Sequence, residues 1–371
     1  MPPAGSSATL GAMTDTVRIA ILGNSFAEAV QLPALQAIGG CEVLGVAGRS
    51  LEKARATAER WGLPRGTDDW RSLLEDGPDL VLVTTPVDLH AEMAAAALEA
   101  GAAVLCEKPF TLSVREAEAL VDGARGRLAW VDHQLRWSPV RRRLRDLLRD
   151  GFVGELYHAR HDLVIDSPAF LERPHGWWFE EARGGGVLGA LGSHLVDGVL
   201  WLHGPVEAVQ GNLSTFVRER PDADGTLRSV TADDTAELRL RLVGGGIVSL
   251  TTSVVLPGGS RSLIEVCGSR GTLRLDLEDD LVGGQHGEDL APLAEGLSMP
   301  RPEDHGITRS GAFAACAGPF LEELVAAVRE GRALVPEAAT FEDGLACMRI
   351  LEAARCSSER GGAWVDVRAD G

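Results

Sequence analysis

Residues 17–35 read VRIAILGNSFAEAVQLPAL. The first six are an apolar run of strand length, and Gly23 stops it. A helical pattern follows to about Ile38. The rhythm then repeats. EVLGVA (42–47) reads as a second strand and 51–61 as a helix. DLVLVT (79–84) is a third strand, a helix runs from about His90 to Ala100, and AAVLCEKP (102–109) is a fourth strand. Strand and helix alternate to about residue 135. The strands are continuous apolar runs rather than alternating ones, as in a parallel sheet covered on both faces. The chain therefore opens with a doubly wound α/β half, where ligands bind beyond the carboxyl ends of the strands.

Past residue 150 the pattern changes. GELYHARHDLV (154–164), TAELRLRLV (235–243), GIVSLTTSVV (246–255), SLIEVCG (262–268) and GTLRLDL (271–277) alternate, as antiparallel strands with glycine turns do. Residues 278–310 are polar and rich in Gly and Pro, and read as a long loop. Two helical segments, about 317–330 and 340–360, and a short strand AWVDV (363–367) close the chain. The expected fold class is α/β. A Rossmann-type doubly wound parallel sheet spans 16–136. An α+β domain with an open, mostly antiparallel sheet spans 137–371, its last helices packing back on the first domain. Residues 1–15 are poor in large apolar groups and read as a flexible tail.

A chain of 371 residues suits two such domains. The net charge of −18 argues against nucleic acid as a partner. No apolar run approaches the ~20 residues that span a bilayer. The opening MPPAGSSATLGAM lacks the basic start and apolar core of a secretory signal, so a cytoplasmic protein is expected. The six cysteines form no CxxC pair and no zinc spacing. They read as small buried hydrophobes in a reducing compartment, and no metal site is expected.

The turn after the first strand is compared with the dinucleotide fingerprint G-x-G-x-x-G/A. Gly23 fits its first position, Ser25 stands at the second, and Phe26 lies within the turn. Glu28 stands at the third, or Ala27 if the turn is one residue shorter. The Ser25 side chain crowds a phosphate but offers it a hydroxyl. The second strand ends in AGRSLEK (47–53). Gly48 removes the carboxylate that an NAD site usually places there. Arg49, Ser50 and Lys53 offer cation and hydroxyl to a 2′-phosphate, which favours NADP(H) over NAD(H). The other reading is an ordinary loop and the solvated start of a helix.

The chain holds two lysines, Lys53 and Lys108, among 36 basic residues. Lys108 follows an apolar run and precedes Pro109. With LPAL (32–35), TPVDLH (85–90), ALEAGAAVLCEKP (97–109) and GGGVLGALGSHLVD (184–197), the sequence resembles the Gfo/Idh/MocA family of oxidoreductases from Val17 to Val367. The resemblance implies an NAD(P)-dependent dehydrogenase or reductase of sugars, cyclitols or related polyols. It also implies a homodimer or homotetramer formed through the second sheet. It places Thr85, Pro86 and His90 near the cofactor, and Glu107 and Lys108 beside the nicotinamide ribose. Pro109 matches a proline that is often cis, and Lys108 matches the catalytic lysine. A compact ammonium with rotatable donors suits that role; guanidinium has a pKa too high to share a proton.

One departure stands out. Where the family pattern has D-x-G-x-H, this chain has A-L-G-S-H, with Ala190 in place of the Asp. His194 is retained and could act as general acid/base, with Lys108 lowering its pKa. Asp197 could orient the imidazole or cap local structure. Further substrate candidates are His133 and Arg136 after the strand LAWV, and Trp177 and Trp178, which could stack on a sugar face or pack at the domain junction. The expected activity is hydride transfer between the nicotinamide and a carbinol or ketone carbon. The alternatives are a non-catalytic NAD(P)-binding sensor or partner protein, and the same fold with NAD-assisted hydrolase or double-bond reductase chemistry.

Overall fold

The computed structural model describes residues 16–276 and 280–367. The tail expected at 1–15 lies outside the described residues. The first half runs β1 (Val17–Leu22), a π turn (Ala27–Gln31) leading into α1 (Leu32–Ala37), β2 (Cys41–Ala47), α2 (Leu51–Trp61), β3 (Gly66–Thr67), α3 (Arg71–Leu74), β4 (Leu80–Val83), α4 (His90–Glu99), β5 (Ala103–Cys106), α5 (Val114–Gly123), β6 (Ala129–Val131) and α6 (Pro139–Arg149). The six strands are parallel in the order β3-β2-β1-β4-β5-β6. The order reverses between β1 and β4, where such sheets open a crevice for a ligand. Register decides what lines it. Leu22 pairs with Val83, Val83 with Cys106, and Cys106 with Val131. The next residues, Gly23, Thr84, Glu107 and Asp132, therefore stand in a row just beyond four adjacent strands.

The second half contains β7 (Leu156–Val164), α7 (Pro168–Leu171), α8 (Ser193–His203), β8 (Val206–Ser214), β9 (Glu219–Pro221), β10 (Leu227–Ser229), β11 (Thr235–Leu242), β12 (Ile247–Ser253), β13 (Arg261–Gly268), β14 (Gly271–Leu275), β15 (Leu281–Gln285), β16 (Ala291–Pro292), α9 (Ala312–Glu330), α10 (Phe341–Glu359) and β17 (Val365–Asp366). Nine strands form one sheet, β16-β15-β14-β13-β7-β12-β11-β8-β17. Every pairing is antiparallel except β7 with β12. β9 and β10 form a separate hairpin. Along β11, Leu238, Leu240 and Leu242 are buried while Glu237, Arg239 and Arg241 are exposed, the alternation of a sheet wet on one face.

Three departures from the sequence reading have packing reasons. The stretch read as a loop at 278–310 carries β15, β16 and a 3₁₀ turn, Pro302–His305. Its glycines look like loop residues, yet a Cβ on Gly283 would stand 2.6 Å from Leu293 and 2.7 Å from Leu273. Gly283 is glycine because neighbouring side chains fill its space, and at Gly284 a Cβ would stand 2.7 Å from the Asp289 carbonyl. β8 escaped notice because Gly211 interrupts its pattern; there a Cβ would stand 2.8 Å from the Ala354 carbonyl of α10. α9 begins at Ala312 and carries Pro319 within it, which masks its first turns.

The closing helices lie against the first sheet. Trp137 packs on Phe320 of α9 at 4.5 Å between ring centroids, and Phe110 on Phe341 of α10 at 4.4 Å. Trp130 of β6 bridges to Thr340. The segment Glu181–His203 is apolar enough to cross a bilayer by composition, but 72% of its apolar window is buried inside the protein.

β7 and α8 share a buried histidine pair. His161 Nε2 lies 3.0 Å from His203 Nε2. One imidazole must donate and the other accept, so the accepting ring must be neutral and the pair cannot take up two protons without breaking the contact. Burial, followed by the His203 charge, depresses His161 well below its ordinary pKa; burial brings His203 down to about 4. The folded chain thus binds fewer protons than the unfolded chain below the ordinary histidine value of 6.5. This contribution to stability is complete above that value and is lost as pH falls toward 4. Urea midpoints should drop between pH 7 and 5, and the drop should flatten in His203→Gln.

Candidate active site

The row of strand ends builds the site. Gly23 has φ +116°, and a Cβ there would stand 2.4 Å from the Thr84 carbonyl oxygen. Any side chain would drive the ends of β1 and β4 apart. The Gly23 N–H donates to Ala47 at 2.8 Å. The helix then begins, with the Glu28 N–H bonded to the Asn24 carbonyl at 3.0 Å. The N–H groups of Ser25, Phe26 and Ala27 precede that bond at the positive end of the helix, as an anion-binding turn requires. Glu28 does not obstruct it. Its carboxylate turns to α2, where it ion-pairs with Arg60 and accepts from the Thr57 hydroxyl at 3.3 Å. Ala27 is fully buried and packs the start of the helix onto the sheet.

At the second strand end, a Cβ on Gly48 would stand 2.8 Å from the Asn24 amide oxygen. Arg49 and Lys53 are exposed. Ser50 caps α2, its hydroxyl accepting from the Lys53 N–H at 3.3 Å. That leaves its proton free to be donated.

His90 is placed differently from the sequence expectation of a cofactor contact. It is buried, with Nε2 2.8 Å from the Thr85 carbonyl and Nδ1 3.1 Å from that of Pro109 and 3.3 Å from that of Phe110. It ties the Thr85–Pro86 loop to the β5 turn, and burial lowers its pKa.

The Lys108–Pro109 peptide is cis. Lys108 Nζ donates to the Ala190 carbonyl at 3.2 Å. The position that lacks the family carboxylate thus still anchors the ammonium, through its backbone. Three glycines make this approach possible. A Cβ on Gly185 would lie 2.4 Å from the Trp178 carbonyl; on Gly186, 2.3 Å from an Asp233 oxygen; on Gly189, 3.2 Å from Pro109. Asp233 accepts from the Leu188 N–H at 2.7 Å and starts a π turn, Leu188–Gly192, that runs into α8.

His194 lies in the first turn of α8. It is buried, and its Nδ1 has no hydrogen-bond partner. Its ring meets His133 edge-on at 5.5 Å and packs on Phe313 at 4.6 Å. Burial first, then the Lys108 charge, holds His194 well below its ordinary pKa. It is a neutral imidazole at physiological pH, and so a proton acceptor. His133 is likewise buried, with an unpartnered Nδ1. The structure brings Lys108, His133 and His194 together, with Glu107 and Asp132 beside Lys108.

Arg136 and Asp197, expected to face substrate, face each other. Arg136 grips Asp197 through two bonds, Nε to Oδ2 at 3.0 Å and Nη2 to Oδ1 at 2.6 Å. Its Nη1 lies 3.4 Å from Asp343 of α10. Burial opposes the charge, but the carboxylates outweigh it and raise the guanidinium pKa. Asp197 therefore does not orient His194. Trp178 is buried in a cluster with Phe170 and Phe179 at 5.5 and 5.2 Å, while Trp177 is half-buried beside it. Trp178 serves packing here, and Trp177 packs partly against the same core. Asp132, Asp233 and Phe313 are site residues that the sequence reading missed. For Asp132 the signal was present: an acid directly after an apolar strand, as Glu107 is. For Phe313 there was none.

Residues 17–133 match the oxidoreductase family with an NAD-binding Rossmann fold, and residues 141–274 match the GFO/IDH/MocA C-terminal domain. Over 373 residues the chain is 30% identical to glucose-fructose oxidoreductase domain-containing protein 2 of Xenopus laevis, covering 94% of this chain and 93% of that protein. An oxidoreductase domain protein from Kribbella flavida superposes with a TM-score of 0.84 at 31% identity, covering 96% of this chain and 100% of that one. Levoglucosan dehydrogenase, solved with NADH and L-sorbose, superposes with a TM-score of 0.83 at 25% identity, covering 95% and 99%. With both halves matched, the chain belongs to the Gfo/Idh/MocA family of NAD-binding oxidoreductases.

Proposed function

We propose that this protein is a cytoplasmic, NADP(H)-preferring dehydrogenase or reductase acting on a CH–OH or ketone carbon of a sugar-like polyol. One observation carries the reading: Lys108 and two neutral imidazoles, His194 and His133, converge beyond the carboxyl ends of a dinucleotide-type sheet. The Gly23 turn and the helix N-terminus at Ser25–Ala27 would hold the pyrophosphate. Arg49 and Lys53, with the Ser50 hydroxyl, would hold a 2′-phosphate. The bound nicotinamide supplies or accepts the hydride. In the oxidative direction Lys108 donates a hydrogen bond to the substrate oxygen, and His194 takes the hydroxyl proton. The levoglucosan dehydrogenase relative has been solved with NADH and levoglucosan, which supports a polyol as the substrate class. Subunits would pair through the wet face of the nine-stranded sheet.

The test is a fluorescence titration of the full chain with NADPH and with NADH. NADPH should bind more tightly, and Arg49→Ala should weaken NADPH by about tenfold or more while leaving NADH nearly unchanged. Equal losses for both would sink the NADP preference. The missing carboxylate at Ala190 favours one second reading, a sensor that binds dinucleotide without turning it over. Cofactor binding with no turnover on any polyol would support that reading instead.

A further inference from the structure

We propose that Glu107 and Asp132 form a proton-holding carboxyl pair that balances charge in the dinucleotide site. The pair releases its shared proton to solvent when the cationic, oxidised cofactor binds, and keeps it when the reduced cofactor binds. This rests on the dinucleotide reading above.

The geometry begins with the sheet. Cys106 and Val131 are paired neighbours on β5 and β6, so the residues that follow, Glu107 and Asp132, emerge side by side. The Asp132 N–H donates to the Cys106 carbonyl at 2.8 Å, which extends the ladder one step and holds Asp132 in place. Glu107 is 8% exposed and Asp132 3%. Their carboxyls thus share one buried corner of the site, where each feels the other's charge. Two carboxyls placed side by side away from water resist ionising together, so one keeps a proton. Each also has an oxygen sealed from solvent without a hydrogen bond, Glu107 Oε1 and Asp132 Oδ1. Burial first, then the Glu107 charge, pushes Asp132 well above the ordinary carboxylate range.

The groups around the pair leave its second negative charge unmatched. Arg136 is committed to Asp197 and Asp343. Lys108 is the cation that acts on Asp132, and its ammonium is tied to the Ala190 carbonyl. Burial keeps Cys106 of β5 a thiol and lowers the pKa of His90 on α4. His133, next along the chain, is also depressed by burial. Among the described residues around the pair, Lys108 is the cation acting on Asp132, and a cationic ligand would supply a second positive charge. The pair lies at the carboxyl ends of the strands, where such sheets take their ligands. Oxidised and reduced dinucleotides differ by one positive charge on the nicotinamide ring. The pair can answer that difference with one proton.

Affinity for the oxidised form should then rise with pH, by at most about tenfold per unit for one full proton, while affinity for the reduced form stays flat. The experiment is calorimetry of the full chain with NADP⁺ and with NADPH in two buffers of different ionisation enthalpy. Release should approach about one proton for NADP⁺ and be absent for NADPH. In Asp132→Asn the amide keeps the size of the side chain but has no proton to shed, so the release should vanish. Equal proton exchange for the two cofactor forms in the native chain overturns the proposal, and that measurement needs no variant. Undiminished release in Asp132→Asn also overturns it, assigning the proton to Lys108 or a histidine. Binding of neither NADP(H) nor NAD(H) overturns the dinucleotide reading, and this inference with it.

Discussion

Lys108→Arg is expected to lower turnover by about 10²–10⁴-fold while leaving the fold and dinucleotide binding close to native. The reason is geometric before it is electrostatic. The Lys108 ammonium reaches the Ala190 carbonyl at 3.2 Å across a gap that glycines keep narrow, with Gly189 set against Pro109. A guanidinium is larger and planar, and its donors are fixed in a fork. Its rigid fork moves the donors away from the point where the ammonium meets that carbonyl, and so away from the place proposed for the substrate oxygen. It also cannot yield a proton, whereas an ammonium can. Steady-state kinetics paired with a cofactor titration separates the effects. Near-native turnover in Lys108→Arg would remove Lys108 from the chemistry.

Asp197→Ala is expected to cost about 3–5 kcal/mol, a large share of the roughly 5–15 kcal/mol that holds a typical protein folded. Asp197 and Arg136 have side chains 4% and 6% exposed. Removing the carboxylate leaves a buried guanidinium with Asp343 alone, at 3.4 Å. Arg136 follows β6, Asp197 sits in α8, and Asp343 begins α10, so the loss unpins three elements at once. Asp197→Asn should cost less, because the amide oxygen still accepts one guanidinium bond. Chemical denaturation of the two variants tests the ranking. If Asp197→Ala unfolds at the same urea concentration as the native chain, the ion pair is not what joins the two halves.

The residues legible in the sequence were those whose role is local. Gly23 ends a strand and starts a helix within a few residues, so its positive φ could be anticipated. Lys108 was marked by the apolar run before it and the proline after it. Ala190 was conspicuous because G-x-H-x-x-D follows it. Two limits were equally physical. Glycines at 211, 283 and 284 disguised strands, because their lack of a side chain answers crowding from elsewhere in the fold. The charges of Arg136 and Asp197 resembled ligands for substrate, because nothing local says that residues 61 apart will meet.

The alternation of apolar runs with helical spacing was enough to specify a parallel sheet, then an antiparallel one, and a ligand crevice at the strand ends. Such periodicity records which face of each element is buried, and that information is carried in a few neighbouring residues. Partnership is not. Sheet order and register placed Glu107 beside Asp132, α8 carried Asp197 to Arg136, and α9 returned to lay Phe313 on His194. Each is a pairing of distant segments, formed only when burial removes water and leaves every charge to find its counterpart in the folded chain.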